Sequence, residues 1–555
     1  MIKYRIGIDF DNTIACYDQV FPVIAQELGF IAKTGDFTKA QVKKEILSTV
    51  DGDLNWQKLQ GQIYGKYMNK AAFFPGFVEF LYLAKIRGHE VFVVSHKSPY
   101  GHFDEAKISL PEEAGKWLYA NELVDANAWV LARKDIFFEP TRELKIDRIR
   151  ELRCTHFIDD LQEVLDEAAF PADIIKYLFD PQKASVEESR NRKAGSWRSL
   201  LTEILGEWSE EEIAIASSAV FKTINVESAE LKKGRGNSRI YQLSMSDKSK
   251  GALKIYPDRQ LDDRSRLETE FSACNMLALL NFPVMRAIER NENMNWAVYS
   301  WIEGKPNSNV DEHFVNESVA FVKHLKKISG RKGGNVSFNN ASEACLNGRD
   351  IFRQIEKRLA RLKQIESVEL TAFLTEEFIP LLESVNAYSQ REESSDLFEV
   401  LLPADKYILS PSDFGAHNAI VDQEGKTTFI DFEYFGWDDP VKLVSDFYWH
   451  PGMVIPQELR QRWIALSKEI FYDDPSFERR LNTFLPLFGL RWCLILLNEF
   501  FPNMITQRMR ADHTKDAFSN VQVIQAEQLK KAKKIISNIK SQHSVWTQNQ
   551  NILEG

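Results

Sequence analysis

The sequence predicts two fold classes in one chain: an α/β front domain with a helical cap over residues 1–205, and an α+β, two-lobed rear domain over 220–540. Three observations predict this. Short apolar strands alternate with helical patterns up to residue 181, and such alternation implies a parallel sheet. The stretch 15–74 breaks the alternation with mostly helical sequence around the turn Asp51-Gly52-Asp53. From 220 onward hairpin patterns appear, followed by a long helical region.

Residues 4–8 (YRIGI), 91–94 (VFVV) and 155–158 (THFI) read as strands, and each stops at a polar residue: Asp9, Ser95 and Asp159. FVEFLYLAKIRG reads as a helix closed by Gly88, because glycine enters the left-handed region after a helix end at little cost. YLFDP at 177–181 reads as the last strand of the sheet. Ligands of such sheets sit beyond the carboxyl ends of the strands, so the three polar ends are expected to meet there. The insert 15–74 is expected to cap that edge. A linker is expected at 206–219, in sequence rich in Glu, Ser and Ala. Beyond it RIYQLSM and GALKIY, separated by the polar turn SDKSKG, read as a hairpin. A helix is expected over 262–280, and WAVYSWIEG closes a first lobe at 303. The second lobe, 304–540, reads as helical over 310–400, as short strands and loops over 407–435, and as helical again beyond. Residues 541–555 read as a disordered polar tail.

Composition bounds the function. With 555 residues, 44% hydrophobic and 12% aromatic, the chain can bury more than one core and is not expected to be disordered. A net charge of −10 gives no electrostatic case for a nucleic-acid partner, which needs clustered Lys and Arg. The cysteines Cys16, Cys154, Cys274, Cys345 and Cys493 form no CxxC pair. Reduced thiols in a cytoplasm are expected rather than a disulfide framework or structural zinc. The N-terminus MIKYRIGIDFDN carries Asp9 where a signal peptide would be apolar. No apolar run approaches the roughly 18 residues of a membrane span, and the longest, Trp492 to Leu497, is core-length. A cytoplasmic protein with no membrane partner is expected, with oligomeric state open.

The first constellation is Asp9-Phe10-Asp11-Asn12-Thr13, directly after the first strand. Two carboxylates at this spacing can enter one cavity. One can attack phosphorus, and the other can protonate a leaving oxygen and later deprotonate water. Like charges need a counter-cation, for which Mg²⁺ with oxygen ligands is suited. Ser95 can hold a phosphate oxygen, Asp159 and Asp160 with Glu163 can complete the metal site, and Lys145 can neutralise phosphate. The ordered set resembles the haloacid dehalogenase-like (HAD) hydrolase superfamily over residues 1–205, with its Rossmann-like sheet and cap. The resemblance implies Asp9 as nucleophile and metal ligand, Asp11 as general acid/base and metal ligand, Ser95 and Lys145 as phosphate-binding groups, and Asp159 and Asp160 as metal ligands. Lys134 competes for the role of Lys145. Retention of Asp11 favours a phosphatase over a dehalogenase.

The second constellation opens at Lys233-Gly234-Arg235-Gly236, a small-residue loop whose backbone can approach phosphates. Lys254 lies among apolar residues in ALKIY, and Glu268 or Glu270 in the next helix can pair with it. A stronger signal is Ser412-Asp413-Phe414-Gly415-Ala416-His417-Asn418, followed by Ile430-Asp431-Phe432-Glu433. Asp413 can accept a hydroxyl proton, while Asn418 and Asp431 hold Mg²⁺ against nucleotide phosphates. His417 is expected in a hydrogen-bonding or packing role rather than as ligand or base. The arrangement resembles the aminoglycoside phosphotransferase/choline kinase-like family, which has a protein-kinase-like two-lobed fold. The resemblance covers 220–535 and implies ATP binding by Gly234, Gly236, Lys254 and Glu270, with 299–303, including Trp301, as the hinge against adenine. It also implies Asp413 as catalytic base and a structural role for Asp446. The family's usual His-Gly before the base is Pro411-Ser412 here.

Together these features lead to a bifunctional enzyme: Mg²⁺-dependent hydrolysis of a phosphate monoester in front, and ATP-dependent phosphorylation of a hydroxyl on a sugar, nucleoside or amino alcohol behind. The alternatives are a kinase with a degenerate front sensor domain, or a non-catalytic nucleotide-binding protein.

Overall fold

The computed structural model describes residues 3–32, 37–124, 130–182, 191–232, 238–259, 262, 264–307, 309–330, 338–391, 395–502, 504–505 and 517–553. The chain divides into two compact units, Met1–Ser265 with Ile288–Tyr299, and Arg266–Ala287 with Ser300–Gly555.

The first unit is built on a six-stranded parallel sheet: β1 (Arg5–Ile8), β2 (Glu90–His96), β3 (Ile136–Glu139), β4 (His156–Asp159), β5 (Ile175–Phe179) and β6 (Arg192–Ala194). Its order is β3-β2-β1-β4-β5-β6. The order reverses direction beside β1, and such a switch point opens a crevice at the carboxyl ends. The register sets Ile8 opposite both Val93 and Ile158, which brings Asp9, Ser95 and Asp159 to that one edge. Both faces of the sheet are covered. Val91 and Val93 join one core, and Phe92 and Val94 the other, as the two-residue side-chain period of a strand requires. The strand at 177–181 is β5 rather than the last, since β6 follows it.

Between β1 and β2 stand three cap helices, α1 (Val20–Glu27), α2 (Lys39–Leu47) and α3 (Gly52–Tyr64). Thr38 starts α2 with a capping box closed by Gln41, which satisfies two otherwise orphaned backbone N–H groups. The insert leaves and rejoins the sheet through a short antiparallel pair, Ala15–Cys16 with Ala72–Phe73. Two further helices matter to the sites: α4 (Phe77–Ile86) and α5 (Arg142–Glu151).

Residues 206–219, expected as a linker, carry most of helix α6 (Glu210–Val220). Ser209 caps it, and Ile213, Ala214 and Ala216 are buried in the main core of the unit. A five-stranded sheet follows: β7 (Val226–Lys232), β8 (Arg239–Met245), β9 (Lys250–Ile255), β10 (Ala287–Asn291) and β11 (Trp296–Ser300), in the order β10-β11-β9-β8-β7.

The second unit is largely helical. Among its elements are α7 (Arg266–Leu279), the short strands β12 (Ile408–Ser410), β13 (Ala419–Val421) and β14 (Thr427–Phe429), and the helices α8 (Pro440–Trp449), α9 (Phe477–Leu496) and α10 (Ala517–Leu553). Trp492 to Leu497, expected as a short apolar run, lies in a longer apolar stretch. Phe477–Phe500 is long and apolar enough to cross a membrane, with mean hydropathy 1.3 over its best window, yet 83% of that window is buried inside the fold. Helix α10 continues through residues 541–553, where a disordered tail was expected.

Candidate active sites

At the front, β1 and β4 deliver Asp9 and Asp159 side by side, and the backbone N–H of Asp9 donates to the Ile158 carbonyl at 2.9 Å. Helix α5, capped by Thr141, carries Lys145 beneath them. Its Nζ donates to Asp9 Oδ1 at 2.6 Å and to Asp159 Oδ2 at 2.7 Å, and Lys145 is only 1% exposed. Lys134 is in solvent; of the two expected candidates, Lys145 occupies the site. Oxygen atoms of Asp9, Asp159 and Asp160 lie within 4.8 Å of one another. One ammonium among three carboxylates leaves negative charge uncompensated. Burial pushes the Asp9 carboxyl up to about 7, against the pull of Lys145 and with a further push from Asp159. Burial, then Asp9 and Asp159, holds Asp160 well above the usual carboxylate range. Asp159 and Asp9 outweigh burial and keep the Lys145 ammonium firmly charged. An all-oxygen donor set with surplus charge suits a hard divalent cation. Ser95 is buried on the neighbouring strand β2. Glu163, expected to add to the metal site, is exposed and pairs with Arg142 at 3.5 Å instead.

Asp11 stands apart from that cluster. Its Oδ1 accepts from the Tyr17 hydroxyl at 2.5 Å, and its Oδ2 from Lys97 Nζ at 2.5 Å. Thr13 is buried, and its carbonyl accepts from Trp197 Nε1 at 2.9 Å. Sequence reasoning missed Tyr17 and Lys97. Lys97 lies just past the end of β2 and is 4% exposed. A lysine close behind a strand-end serine was the only available signal.

At the rear, Asp413 follows β12. Ser412 adopts φ +66, a left-handed conformation that costs a residue with a side chain about 1–2 kcal/mol. Its hydroxyl accepts from Lys442 Nζ at 2.9 Å and donates to the Ser342 carbonyl at 3.3 Å. Lys442, on α8, is wholly buried between Asp438 at 3.0 Å and Asp446 at 3.1 Å. Asp446 also accepts from Trp492 Nε1 at 2.7 Å.

Two imidazoles close on Asp413. His417 Nε2 and His450 Nε2 lie 3.0 and 3.1 Å from the same oxygen, Oδ1. Their rings stack with centroids 3.7 Å apart and planes 2° from parallel. Parallel rings aim their nitrogen lone pairs along parallel lines, which is poor geometry for a shared metal ion and good geometry for two N–H donors. His450 Nδ1 accepts from the Gly452 N–H at 3.1 Å, which assigns the ring proton to Nε2. Burial would raise the Asp413 carboxyl, but the hydrogen bonds from His417 and His450 hold it far below the usual range. His450, at the end of α8, was not singled out from the sequence; it lies 37 residues after Asp413.

Asn418 Nδ2 donates to the Asp413 carbonyl at 2.9 Å and to Asp413 Oδ2 at 3.3 Å, which leaves its amide oxygen as a ligand atom. The Ile430 N–H donates to the Asn418 carbonyl at 2.9 Å, so Asp431 emerges beside Asn418. Oxygen atoms of Glu270, Asp431 and Glu433 lie within 4.8 Å of one another. Glu270 is fully buried and accepts from the Phe432 N–H at 3.2 Å, whereas Glu268 is in solvent. Glu433 is paired with Arg266. Lys254 is buried on β9 in the first unit, and Trp301 is half-buried in the second. Gly234 and Gly236 lie outside the described residues.

Residues 229–471 match the model of the phosphotransferase enzyme family. No curated protein matches the chain. Among solved structures, the chain is similar to choline kinase LicA from Streptococcus pneumoniae, at 14% identity and TM-score 0.38, over 59% of this chain and 98% of that one. It is similar to spectinomycin phosphotransferase APH(9)-Ia at 13% identity and TM-score 0.42, over 60% and 99%. A Plasmodium vivax ethanolamine kinase matches at 14% identity and TM-score 0.40, over 62% and 92%. Over residues 229–471 the rear part of the chain is therefore similar to the phosphotransferase enzyme family.

Proposed function

We propose that the protein is a bifunctional phosphoryl-transfer enzyme. The front site hydrolyses a phosphate monoester, and the rear site moves a phosphoryl group from ATP to a hydroxyl of a small molecule. The observation that carries the front reading is the buried ammonium of Lys145 bridging Asp9 and Asp159 at 2.6 and 2.7 Å. A structural ion pair has no need of a third carboxylate, Asp160, crowded against it at the open edge of a sheet. The working division is 1–205 for the phosphatase domain, 220–303 and 304–540 for the two kinase lobes, with 206–219 between them and 541–555 as a C-terminal extension.

In the front site Asp9 attacks phosphorus and the ester oxygen leaves, which forms an aspartyl phosphate. Asp11 gives a proton to the leaving oxygen and then takes one from the water that cleaves the acyl phosphate. Lys145 and Ser95 stabilise the transferring oxygens. Asp9, Asp159 and Asp160 would hold Mg²⁺, which would supply the remaining positive charge. In the rear site Asp413 orients the substrate hydroxyl and accepts its proton. Asn418 and Asp431, with Glu270 and Glu433 beside Asp431, would hold Mg²⁺, which would neutralise the nucleotide phosphates; Lys254 and the 299–303 segment are assigned to ATP on the family resemblance alone.

The test uses the full chain with Mg²⁺. Asp9→Asn should abolish hydrolysis of p-nitrophenyl phosphate and leave ATP-dependent turnover of a hydroxylated-metabolite panel intact. Asp413→Asn should do the reverse. Hydrolysis unchanged by Asp9→Asn would reject the front reading, and turnover unchanged by Asp413→Asn the rear one.

A further inference from the structure

A cavity of about 180 Å³ opens on the Asp11 side of the front site. Its floor is Asp11, while neither Asp9 nor Asp159 lines it. One wall is helix α3 of the cap, with Gln57, Gln60 and Tyr64, and the other is the end of β2 and the segment after it, with His96, Lys97 and His102. The two walls meet at Gly61 and Gly101, where a Cβ added to Gly101 would come within 2.7 Å of the Gly61 Cα. That approach admits no side chain, so helix α3 of the cap sits directly against the segment after β2.

We propose that this chamber is the leaving-group subsite of the front site and that it selects a small, uncharged polyhydroxylated phosphate ester, a sugar or polyol phosphate. The inference rests on the phosphatase reading of Asp9 and Asp11 and narrows its substrate.

Three features carry it. Asp11 is the group assigned to the leaving oxygen, so the space beyond it is where the rest of the ester must lie. The volume, well under the roughly 300 Å³ at which pockets for drug-sized ligands begin, is on the order of one sugar ring. Beside the apolar surface of Leu110, the lining offers several hydrogen-bonding groups: two carboxamides, a phenol, two imidazoles and an ammonium. Carboxamides each offer donors and an acceptor, which matches the paired donor–acceptor character of vicinal hydroxyls.

The charges exclude the competing class. A cationic leaving group, such as an amino alcohol, needs a free carboxylate or an open aromatic face. The chamber's single carboxylate, Asp11, is already engaged by Lys97 and the Tyr17 hydroxyl. The ammonium of Lys97 also lies over the Phe10 and Tyr64 rings, 5.0 and 5.5 Å from their centroids, so those faces are occupied by a cation. Lys97 therefore acts as a specificity residue: it repels ammonium-bearing esters and donates to a hydroxyl next to the scissile bond.

The experiment measures kcat/KM of the full-length protein with Mg²⁺ for p-nitrophenyl phosphate, a hexose 6-phosphate, glycerol phosphate, phosphocholine and a nucleoside 5′-monophosphate, beside Asp9→Asn. Expected is Asp9-dependent turnover of the nitrophenyl ester, with the hexose or glycerol ester favoured over phosphocholine and the nucleotide by about tenfold or more. Gln60→Leu should lower the hexose-to-nitrophenyl ratio by about fivefold, the effect of one hydrogen bond. Lys97→Met should raise the phosphocholine-to-hexose ratio by a similar factor, and ratios cancel any general loss of catalysis. Nitrophenyl turnover that is absent, or indifferent to Asp9→Asn, would overturn the phosphatase reading and this inference with it. Asp9-dependent nitrophenyl turnover with phosphocholine or the nucleotide preferred, or with both ratios unmoved in the variants, would overturn this inference alone.

Discussion

Replacing Lys145 by Met removes the one positive charge buried among Asp9, Asp159 and Asp160, and its cost follows from the geometry. Lys145 is 1% exposed and makes two ion pairs at 2.6 and 2.7 Å. Methionine fills a similar volume, so the cavity contribution is small. The charge contribution is large. Removing one partner of a buried ion pair costs about 3–5 kcal/mol, because the remaining charge is left without compensation. For a unit of this size that is a fall in Tm on the order of 10 °C. Asp9 is already pushed up to about 7 by burial with Lys145 present, and removal of the ammonium pushes it further. A carboxyl raised in the folded state contributes stability that is full below its unfolded value near 4 and is lost as pH rises through the folded value. The Lys145→Met deficit should therefore grow with pH and be smaller at about pH 5 than at about pH 8. Mg²⁺ should restore part of it, since the cation binds the folded carboxylates and not the unfolded chain.

The assay is thermal unfolding of the full chain in chelator and in Mg²⁺, at both pH values, with Asp413→Asn as a control that leaves the front unit untouched. A deficit under about 1 kcal/mol at the higher pH, below the range for a broken buried pair, would refute the reasoning. So would a deficit equal at both pH values, because the cluster would then not be charged as described.

Other perturbations separate the parts. His156, buried between Tyr4 and Tyr177, has its pKa lowered to about 4 by burial. A depressed histidine contributes stability above its unfolded value near 6.5 that is lost as pH falls toward 4, so His156→Phe should flatten the acid side of the wild-type unfolding profile by a few kcal/mol; an unchanged slope by denaturant titration would count against it. His450→Gln keeps an N–H donor for Asp413 and should retain kinase turnover better than His450→Leu, by about tenfold for one charge-assisted hydrogen bond; equal loss in both would show that the ring fills space rather than holds the carboxylate. Gly101→Val must push the cap off Gly61 and should depress phosphatase turnover at least tenfold with kinase turnover unchanged; a variant with normal hydrolysis would show that cap closure is not needed.

The legible part of the fold and site was the part encoded locally. Asp9, Ser95 and Asp159 stand where apolar runs stop, and a parallel sheet then gathers strand ends by topology alone. Lys145 was singled out as a lysine 14 residues before Asp159, with Lys134 as competitor, and only the fold separates the two. The strand Arg192–Ala194 was not visible, since three residues with two exposed carry no period. Lys97 and His450 share a different obstacle. Each earns its position from a partner far along the chain: Asp11 lies 86 residues from Lys97, and Asp413 reaches His450 only because α8 ends beside it. Nothing in a window around WHPG distinguishes a histidine that holds a carboxylate from one that caps a turn. The same limit applied to Asp11, whose spacing from Asp9 suggested a shared metal but whose oxygens went to Tyr17 and Lys97.

The expected linker shows how far the first unit is one folded body. Glu79 on α4 is 8% exposed and accepts from Trp208 Nε1 at 2.8 Å, from Arg198 at 3.1 Å and from Arg239 at 3.5 Å. Arg239 opens β8, the strand after the glycine-rich loop. Arg87, at the other end of α4, holds Glu212 of α6 at 2.7 Å, and Trp208 packs edge-on against Trp296 of β11 with centroids 5.7 Å apart. Leu205, Ile213, Leu243, Leu253 and Trp296 belong to the same buried cluster as Ile6 and Ile8. A flexible tether would need polar, solvated sequence between two separate cores. Here the strands β8, β9 and β11 share a core with the front sheet, and a buried carboxylate with two arginines spans the junction. Such a network tolerates little relative motion, because each displaced partner leaves another charge desolvated and unpaired. Cutting the chain at 206–219 would therefore expose Trp208 and Trp296 rather than release two intact domains.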